Sequence, residues 1–298
     1  MFPAVPFRKI ALVGVGLLGG SLALAIRERR LAASVQGYVR RESSLAECEQ
    51  AGLSDFATRD LYEAVRNADL VILCTPLAQM KPLVEQMIPA LAPGAIVSDV
   101  GSVKASVVAD LETIISDVGG HFIGAHPMAG AEKMGVLAAR ADLFRNAVCV
   151  LTPTGASHSD SVQRLEEFWR DLGTRLLKLT PQLHDELVAR CSHLPHVLAA
   201  GLANLVLDPA HPKEQVMLCA NGFRDTTRIA SGSPEMWRDI AAANAGQLGA
   251  ALGTFIAELQ RLQRAVESRD VRAMEQFFNS AKQRRDGWNS QAGSPSPE

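Results

Sequence analysis

Three glycines carry the first chemistry. Gly14-Val15-Gly16-Leu17-Leu18-Gly19 spells G-x-G-x-x-G. It stands between a β-rich apolar run, residues 9–13, and a helical pattern over residues 17–26. The first glycine permits a tight turn, the second lets backbone approach a pyrophosphate, and the third allows close helix–strand packing. Phosphates then meet the free N–H groups of Gly16, Leu17 and Leu18 at a helix N-terminus, where the dipole also favours anions. The motif follows a strand, opens a helix and lies within a βαβ pattern, which is the context that makes it informative. A dinucleotide is the expected ligand, with FAD the competitor to a nicotinamide. Thr75-Pro76, at the end of a later strand, should face the same cofactor.

The end of the second strand reads Gly37-Tyr38-Val39-Arg40-Arg41. A site for NAD usually carries Asp or Glu there, on the ribose 2′-OH. That acid is missing, and a guanidinium suits a 2′-phosphate through charge and bidentate hydrogen bonds. NADP is therefore favoured over NAD, with Arg40 as the contact. The alternative is that Arg40 and Arg41 are solvated and NAD binds.

Two further segments follow strands and should lie at the carboxyl edge of a parallel sheet, where ligands bind in open α/β folds. They are Asp99-Val100-Gly101-Ser102-Val103-Lys104 and the stretch over residues 124–133 that contains His126 and Glu132. Later, His193 and His196 fall at i and i+3, on one helix face. Such a pair can be half of a metal site. No acid or third histidine stands at a suitable further spacing, so no metal is expected.

G-V-G-L-L-G-G-S-L, D-V-G-S-V-K, G-A-H-P-M-A-G-A-E-K, S-H-L-P-H and G-F-R-D-T-T-R-I-A occur in this order. Together they resemble the prephenate/arogenate (cyclohexadienyl) dehydrogenase family over residues 8–285. The resemblance implies oxidative decarboxylation of prephenate or arogenate with hydride transfer to NAD(P)+, a step of tyrosine biosynthesis. It implies that His126 accepts the proton of the ring hydroxyl, and that Ser102 orients His126 and lies by the cofactor. His196 and Arg228 become substrate contacts, with Arg228 on a carboxylate. His193 becomes a support or access residue, Glu132 a residue that tunes access or meets a substrate amine, and Trp237 a neighbour of the substrate channel. Bland readings compete for several of these: a backbone-satisfied His193, a solvated Glu132, a core Trp237.

The elements that must position these residues alternate strand and helix to about residue 179, which implies a parallel sheet with crossover helices. Strands are expected at 9–13, 35–39, 68–74, 95–100, 121–125 and 147–151. Ser44 with Glu47 fits a capping box for a helix to about residue 52, and a helix is expected over 103–118. From residue 181 the pattern is helical throughout. The predicted architecture is α/β: a Rossmann domain over 1–180, an all-helical substrate and dimerisation domain over 181–289, and a disordered Ser/Pro/Gly-rich tail over 290–298.

A net charge of −2 provides no global field for nucleic acid or a membrane surface. The five cysteines, Cys48, Cys74, Cys149, Cys191 and Cys219, are odd in number and widely spaced, which argues against a disulfide framework. A cytoplasmic location is expected, with no membrane or nucleic-acid partner. The apolar stripe Leu248, Leu252, Phe255, Leu259 and Leu262 suggests a homodimer through the helical region. Two other functions remain open on residues alone. A β-hydroxyacid dehydrogenase would use a lysine on an early helix of the second domain, and Lys178 and Lys213 suit that poorly. A dinucleotide-binding sensor would not need Ser102, His126 and Arg228 together.

Overall fold

The computed structural model describes residues 6–53, 56–130 and 133–292. The chain runs β1 (Phe7–Val13), α1 (Leu17–Arg29), β2 (Ala32–Tyr38), α2 (Glu42–Gln50), β3 (Ala57–Thr58), α3 (Leu61–Val65), β4 (Leu70–Leu73) and α4 (Leu77–Met87). It continues through β5 (Ile96–Asp99), α5 (Ala105–Ser116), β6 (His121–Pro127), β7 (Val148–Thr152), α6 (Ser159–Asp171) and β8 (Arg175–Lys178). The strands form one sheet in the order β3-β2-β1-β4-β5-β6-β7-β8. All neighbours are parallel except β6 and β7. This is the expected α/β architecture, extended at one side by two strands, β7 and β8, that run opposite to the rest.

Period-two alternation sends the strand side chains into two cores. Ile10, Leu12, Leu70 and Ile72 join Leu22 and Ile26 of α1 and Leu165, Phe168 and Trp169 of α6. Ala11, Val13, Val71 and Leu73 join Val65 of α3, Met80 and Val84 of α4, and Leu111 and Ile115 of α5. Both faces of β4 are covered, and all four of its residues are buried. That is why this strand reads as an unbroken apolar run.

The chain leaves β1 towards β2 and β3, then returns past β1 to β4. The topological switch point therefore lies between β1 and β4, and the crevice at their carboxyl ends is where such a sheet binds ligands.

After the sheet come α7 (Pro181–Val188), a π-helical turn (Ala189–His193), α8 (Leu194–Val206), α9 (Glu214–Met217), α10 (Asn221–Thr227), a 3-10 turn (Arg228–Ser231) and α11 (Pro234–Ala243). The chain divides into two compact units, 1–245 and 246–298. This division falls well after Thr180–Pro181, because the helices up to α11 group with the sheet. The second unit holds most of α12 (Ala245–Glu267) and α13 (Val271–Ala292).

Two local expectations change. α2 starts at Glu42 with Arg41 as its N-cap and no side-chain cap bond. Ser44 is thus already inside the helix, and the acid that favours the helix dipole is Glu42. At the other end, α13 runs to Ala292, so residues 290–292 are helical rather than part of a disordered tail; the remainder of that tail lies outside the described residues.

Candidate active site

The cofactor loop is built for close approach. Gly14 has φ +101°, and a Cβ there would lie 2.8 Å from Thr75 Cγ2 and 2.9 Å from the Cys74 carbonyl oxygen. A Cβ on Gly19 would lie 2.1 Å from the Gly14 carbonyl oxygen. These two glycines are fixed by backbone packing. Gly16 differs: nothing lies within 4 Å of the place its Cβ would take. It is the N-cap of α1 and has no side-chain cap bond, nor is there an acid in the first turn. Open space thus meets uncapped N–H groups, which suits a pyrophosphate. Leu17 is buried and Leu18 partly buried, so what they offer a ligand at this loop is backbone rather than side chain. Beside the loop, Thr75 Oγ1 is buried without a hydrogen-bond partner, and Pro76 is exposed as the N-cap of α4. An orphaned hydroxyl and an open glycine fit a dinucleotide at this switch point. Arg40 and Arg41 follow β2 and are exposed.

Two strands along, β6 delivers His126, 7% exposed. Its Nδ1 lies 2.8 Å from Nε2 of His184. His184 is fully buried, and its Nδ1 lies 2.7 Å from Asp185 Oδ1. The Asp185 carboxylate also accepts the backbone N–H groups of Lys104 at 2.7 Å and Ala105 at 2.8 Å. It thereby caps α5 from α7 and satisfies donors that a helix start leaves free.

These contacts determine the tautomers. A carboxylate that accepts two backbone N–H groups is an acceptor, so His184 donates to it from Nδ1. An imidazole that carries its single hydrogen on Nδ1 has a lone pair on Nε2. His126 must donate from Nδ1, which leaves its own Nε2 unprotonated. Burial pushes the His126 imidazole well below its ordinary pKa, and His184, Lys104 and His193 push it the same way. His126 is therefore a neutral ring with a free lone pair on Nε2, as a general base requires. Ser102, expected to hold a His126 nitrogen, is partly buried on the loop after β5. Among the described residues no hydrogen bond joins its hydroxyl to His126. His184 occupies the Nδ1 position, because α7 brings a better-directed buried partner.

Beneath this chain lies a buried ion pair. Lys104 Nζ contacts Asp99 Oδ2 and lies 2.9 Å from the Ala125 carbonyl oxygen. Asp99 also accepts from Gly101 N–H at 2.8 Å and Ala125 N–H at 3.1 Å. Both side chains are fully buried. The pair thus ties the loop after β5 to the residue before His126. Burial raises the thiols of Cys74 and Cys149, so neither is a thiolate nucleophile at neutral pH.

The other expected residues gather near α8. His193 is 1% exposed. His196 stacks on Trp237, with ring centroids 3.8 Å apart, and its Nδ1 meets the Ser192 carbonyl oxygen at 3.0 Å. The turn that begins with Arg228 packs on α8, with Arg228 itself exposed. Glu132 lies outside the described residues. Among the described residues, no group of three or more His, Cys, Asp or Glu could hold a metal ion, and no single helix is long and apolar enough to cross a membrane.

Sequence reasoning missed His184, Asp185 and Asn244, and gave Lys104, visible in its motif, no role. One signal was present for the first two. The buried positions of α7 are Pro181, His184, Asp185 and Val188, the i, i+3, i+4, i+7 spacing of a core face. Two ionisable residues on such a face mark a polar network.

Comparison with known proteins identifies both parts of the chain. Residues 22–178 match the family model "Prephenate dehydrogenase, nucleotide-binding domain", and residues 180–282 match "Prephenate dehydrogenase, dimerization domain". The chain is 34% identical to the cyclohexadienyl dehydrogenase of Zymomonas mobilis, over 94% of this chain and 95% of that one. It is 32% identical to the prephenate dehydrogenase of Bacillus subtilis, over 93% and 75% respectively. The crystal structure of prephenate dehydrogenase from A. aeolicus with hydroxyphenyl propionate and NAD+ superposes with a TM-score of 0.86 at 29% identity, covering 94% of this chain and 98% of that one. With both halves of the family's architecture present, and the glycine loop and His126 at the carboxyl edge of one sheet, the chain belongs to the prephenate dehydrogenase family of nicotinamide-dependent oxidoreductases.

Proposed function

We propose that this chain oxidatively decarboxylates prephenate or arogenate, giving 4-hydroxyphenylpyruvate or tyrosine. The observation that carries the reading is the His126–His184–Asp185 chain, which leaves His126 Nε2 as a buried acceptor on the ligand edge of the sheet. His126 accepts the proton of the ring hydroxyl at Nε2. Positive charge that develops on its ring is shared through Nδ1–H to His184, and through His184 to Asp185. Bound NAD(P)+ supplies the acceptor for the hydride leaving the carbon that bears the hydroxyl. Loss of the ring carboxylate as CO₂ then completes the aromatic ring, so no covalent nucleophile is needed. Gly14, Gly16, Leu17, Leu18, Gly19, Thr75, Pro76 and Ser102 bound the cofactor. Arg228 holds a substrate carboxylate through its guanidinium fork, and His196 and Trp237 line the substrate side.

The cofactor preferred is NADP+, with Arg40 on its 2′-phosphate. Support comes from two exposed arginines at the end of β2, where an NAD site would place an acid. The active form is a homodimer through the helical region. This rests on the matched dimerisation model and on the α12 stripe, in which Leu259 is 45% exposed. The β-hydroxyacid dehydrogenase and sensor readings have no comparable support.

The test combines prephenate or arogenate with NADP+ or NAD+ and follows reduced-cofactor absorbance. No signal in any of the four combinations overturns the reading. His126→Asn should lower kcat strongly with little change in KM, whereas Arg228→Gln should chiefly raise KM.

A further inference from the structure

Asn244 closes α11 and is 4% exposed. Its side-chain nitrogen lies 2.9 Å from the carbonyl oxygen of Asp185 and 3.2 Å from Nδ1 of His193. A carbonyl oxygen only accepts, so the Asn244 atom facing it is the amide nitrogen. One amide hydrogen goes to Asp185. The other points at His193 Nδ1, which must then be a lone pair. A neutral imidazole has one N–H, and here it sits on Nε2. That Nε2 is buried without a hydrogen-bond partner. The Ser102 backbone carbonyl is near enough to pull weakly on the ring hydrogen, but the contact falls short of full hydrogen-bond geometry and leaves Nε2 unsatisfied. Native proteins rarely leave a buried donor unpaired, and one that persists calls for a reason. Here the donor stands beside the loop after β5, at the ligand edge of the sheet.

We infer that Asn244 is a positioning residue that fixes His193 as an Nε2–H donor, and that this donor takes an oxygen of the bound ligand. The oxygen belongs either to a substrate carboxylate or to the cofactor carboxamide. The inference rests on the function proposed above for the identity of the ligand; the tautomer does not.

Burial pushes His193 down to about 4, against the opposing pull of Asp185, with His184 and His196 adding to the fall. The ring is thus neutral at working pH, and the position of its single hydrogen decides what it can bind. Asn244→Asp reverses the polarity. A carboxylate there demands a hydrogen on Nδ1 and strips it from Nε2. It also favours the doubly protonated ring, which regains the Nε2 donor as pH falls.

Two measurements test this. Nitrogen-15 NMR of histidine-labelled, ligand-free protein, with the His193 signal identified by its loss in His193→Gln, should show protonated Nε2 and bare Nδ1. A wild-type His193 protonated on Nδ1 overturns the proposal even if the enzyme turns over as expected. In kinetics at neutral pH, His193→Leu and Asn244→Asp should raise one KM by about ten- to a hundredfold, the range for a lost hydrogen bond to a charged or strongly polar partner. The raised KM, for substrate or for cofactor, names the source of the oxygen. Asn244→Asp should recover as pH falls. His193→Gln, whose amide can donate from the Nε2 position, should stay within a few-fold of wild type. A pH-independent loss in Asn244→Asp, or His193→Gln as impaired as His193→Leu, would show a merely structural role.

Discussion

His126 Nδ1 sits 2.8 Å from His184 Nε2, with both rings buried and inclined at 68°. The contact has a direction, because Asp185 claims the hydrogen on His184 Nδ1. Asp185→Asn removes the charge that sets this direction. His184 can then place its hydrogen on Nε2 and donate to His126, which turns His126 Nε2 into a donor. Turnover should fall by about 10²–10⁴, the scale seen when a buried acid that orients a catalytic histidine is neutralised. KM should change little. The same change weakens the cap on α5 and should cost about 0.5–2 kcal/mol of stability. A variant with near-normal kcat would remove Asp185 from the proton-handling chain.

The Lys104–Asp99 pair makes a second, separable prediction. Lys104→Met leaves Asp99 charged and fully buried. Breaking such a pair from one side should cost about 3–5 kcal/mol, visible as a large fall in Tm. Lys104 is also among the positive groups that depress His126. In the folded fraction, the acidic limb of log kcat should therefore move to higher pH. A stability loss under about 1 kcal/mol would contradict the pairing.

How legible these features were depends on how far apart in sequence their partners lie. β4 could be read directly, since a parallel strand covered on both faces becomes an apolar run. β3 was missed because only Ala57 and Thr58 pair. β8, Arg-Leu-Leu-Lys, was missed because it is a largely exposed edge strand with no buried face to write a pattern. The glycine loop was legible because its requirements are local. The network behind His126 was not: His184 lies 58 residues from His126, Asp185 lies 81 from Lys104, and Asn244 lies 59 from Asp185. No local propensity encodes such contacts. The motif containing Asp99 and Lys104 was visible, but only the fold shows that its two charges face each other.

Gly16 and Gly14 should separate binding from folding. Gly16→Ala places a methyl group in open space, so stability should change by less than about 1 kcal/mol. On the function proposed above that space takes the pyrophosphate, so the cofactor KM should rise about tenfold or more while substrate KM holds. Gly14→Ala combines a positive φ with a 2.8 Å clash on Thr75 and should mainly destabilise. Equal Tm losses in the two variants would refute this division.

His193 and His126 together predict how stability depends on pH. Both are buried with pKa values pushed down, His193 to about 4. In the unfolded chain each titrates near 6.5. Between these values the unfolded state binds protons that the folded state refuses, so unfolding free energy rises with pH there. The stability is fully present above about pH 6.5 and is lost as pH falls towards the folded value. For His193 the difference between 6.5 and about 4 amounts to about 3 kcal/mol, and His126 adds loss in the same direction. Carboxylates such as Asp69 and Glu166, held below their ordinary range by basic partners, contribute losses only at lower pH, near and below about 4. Urea midpoints should therefore already decline between about pH 6.5 and 5. His193→Gln, which cannot titrate, should make that part of the curve shallower, with the His126 contribution remaining, and leave the more acidic part in place. A wild-type midpoint that stays constant down to about pH 5 would mean that these two rings are not held neutral by burial.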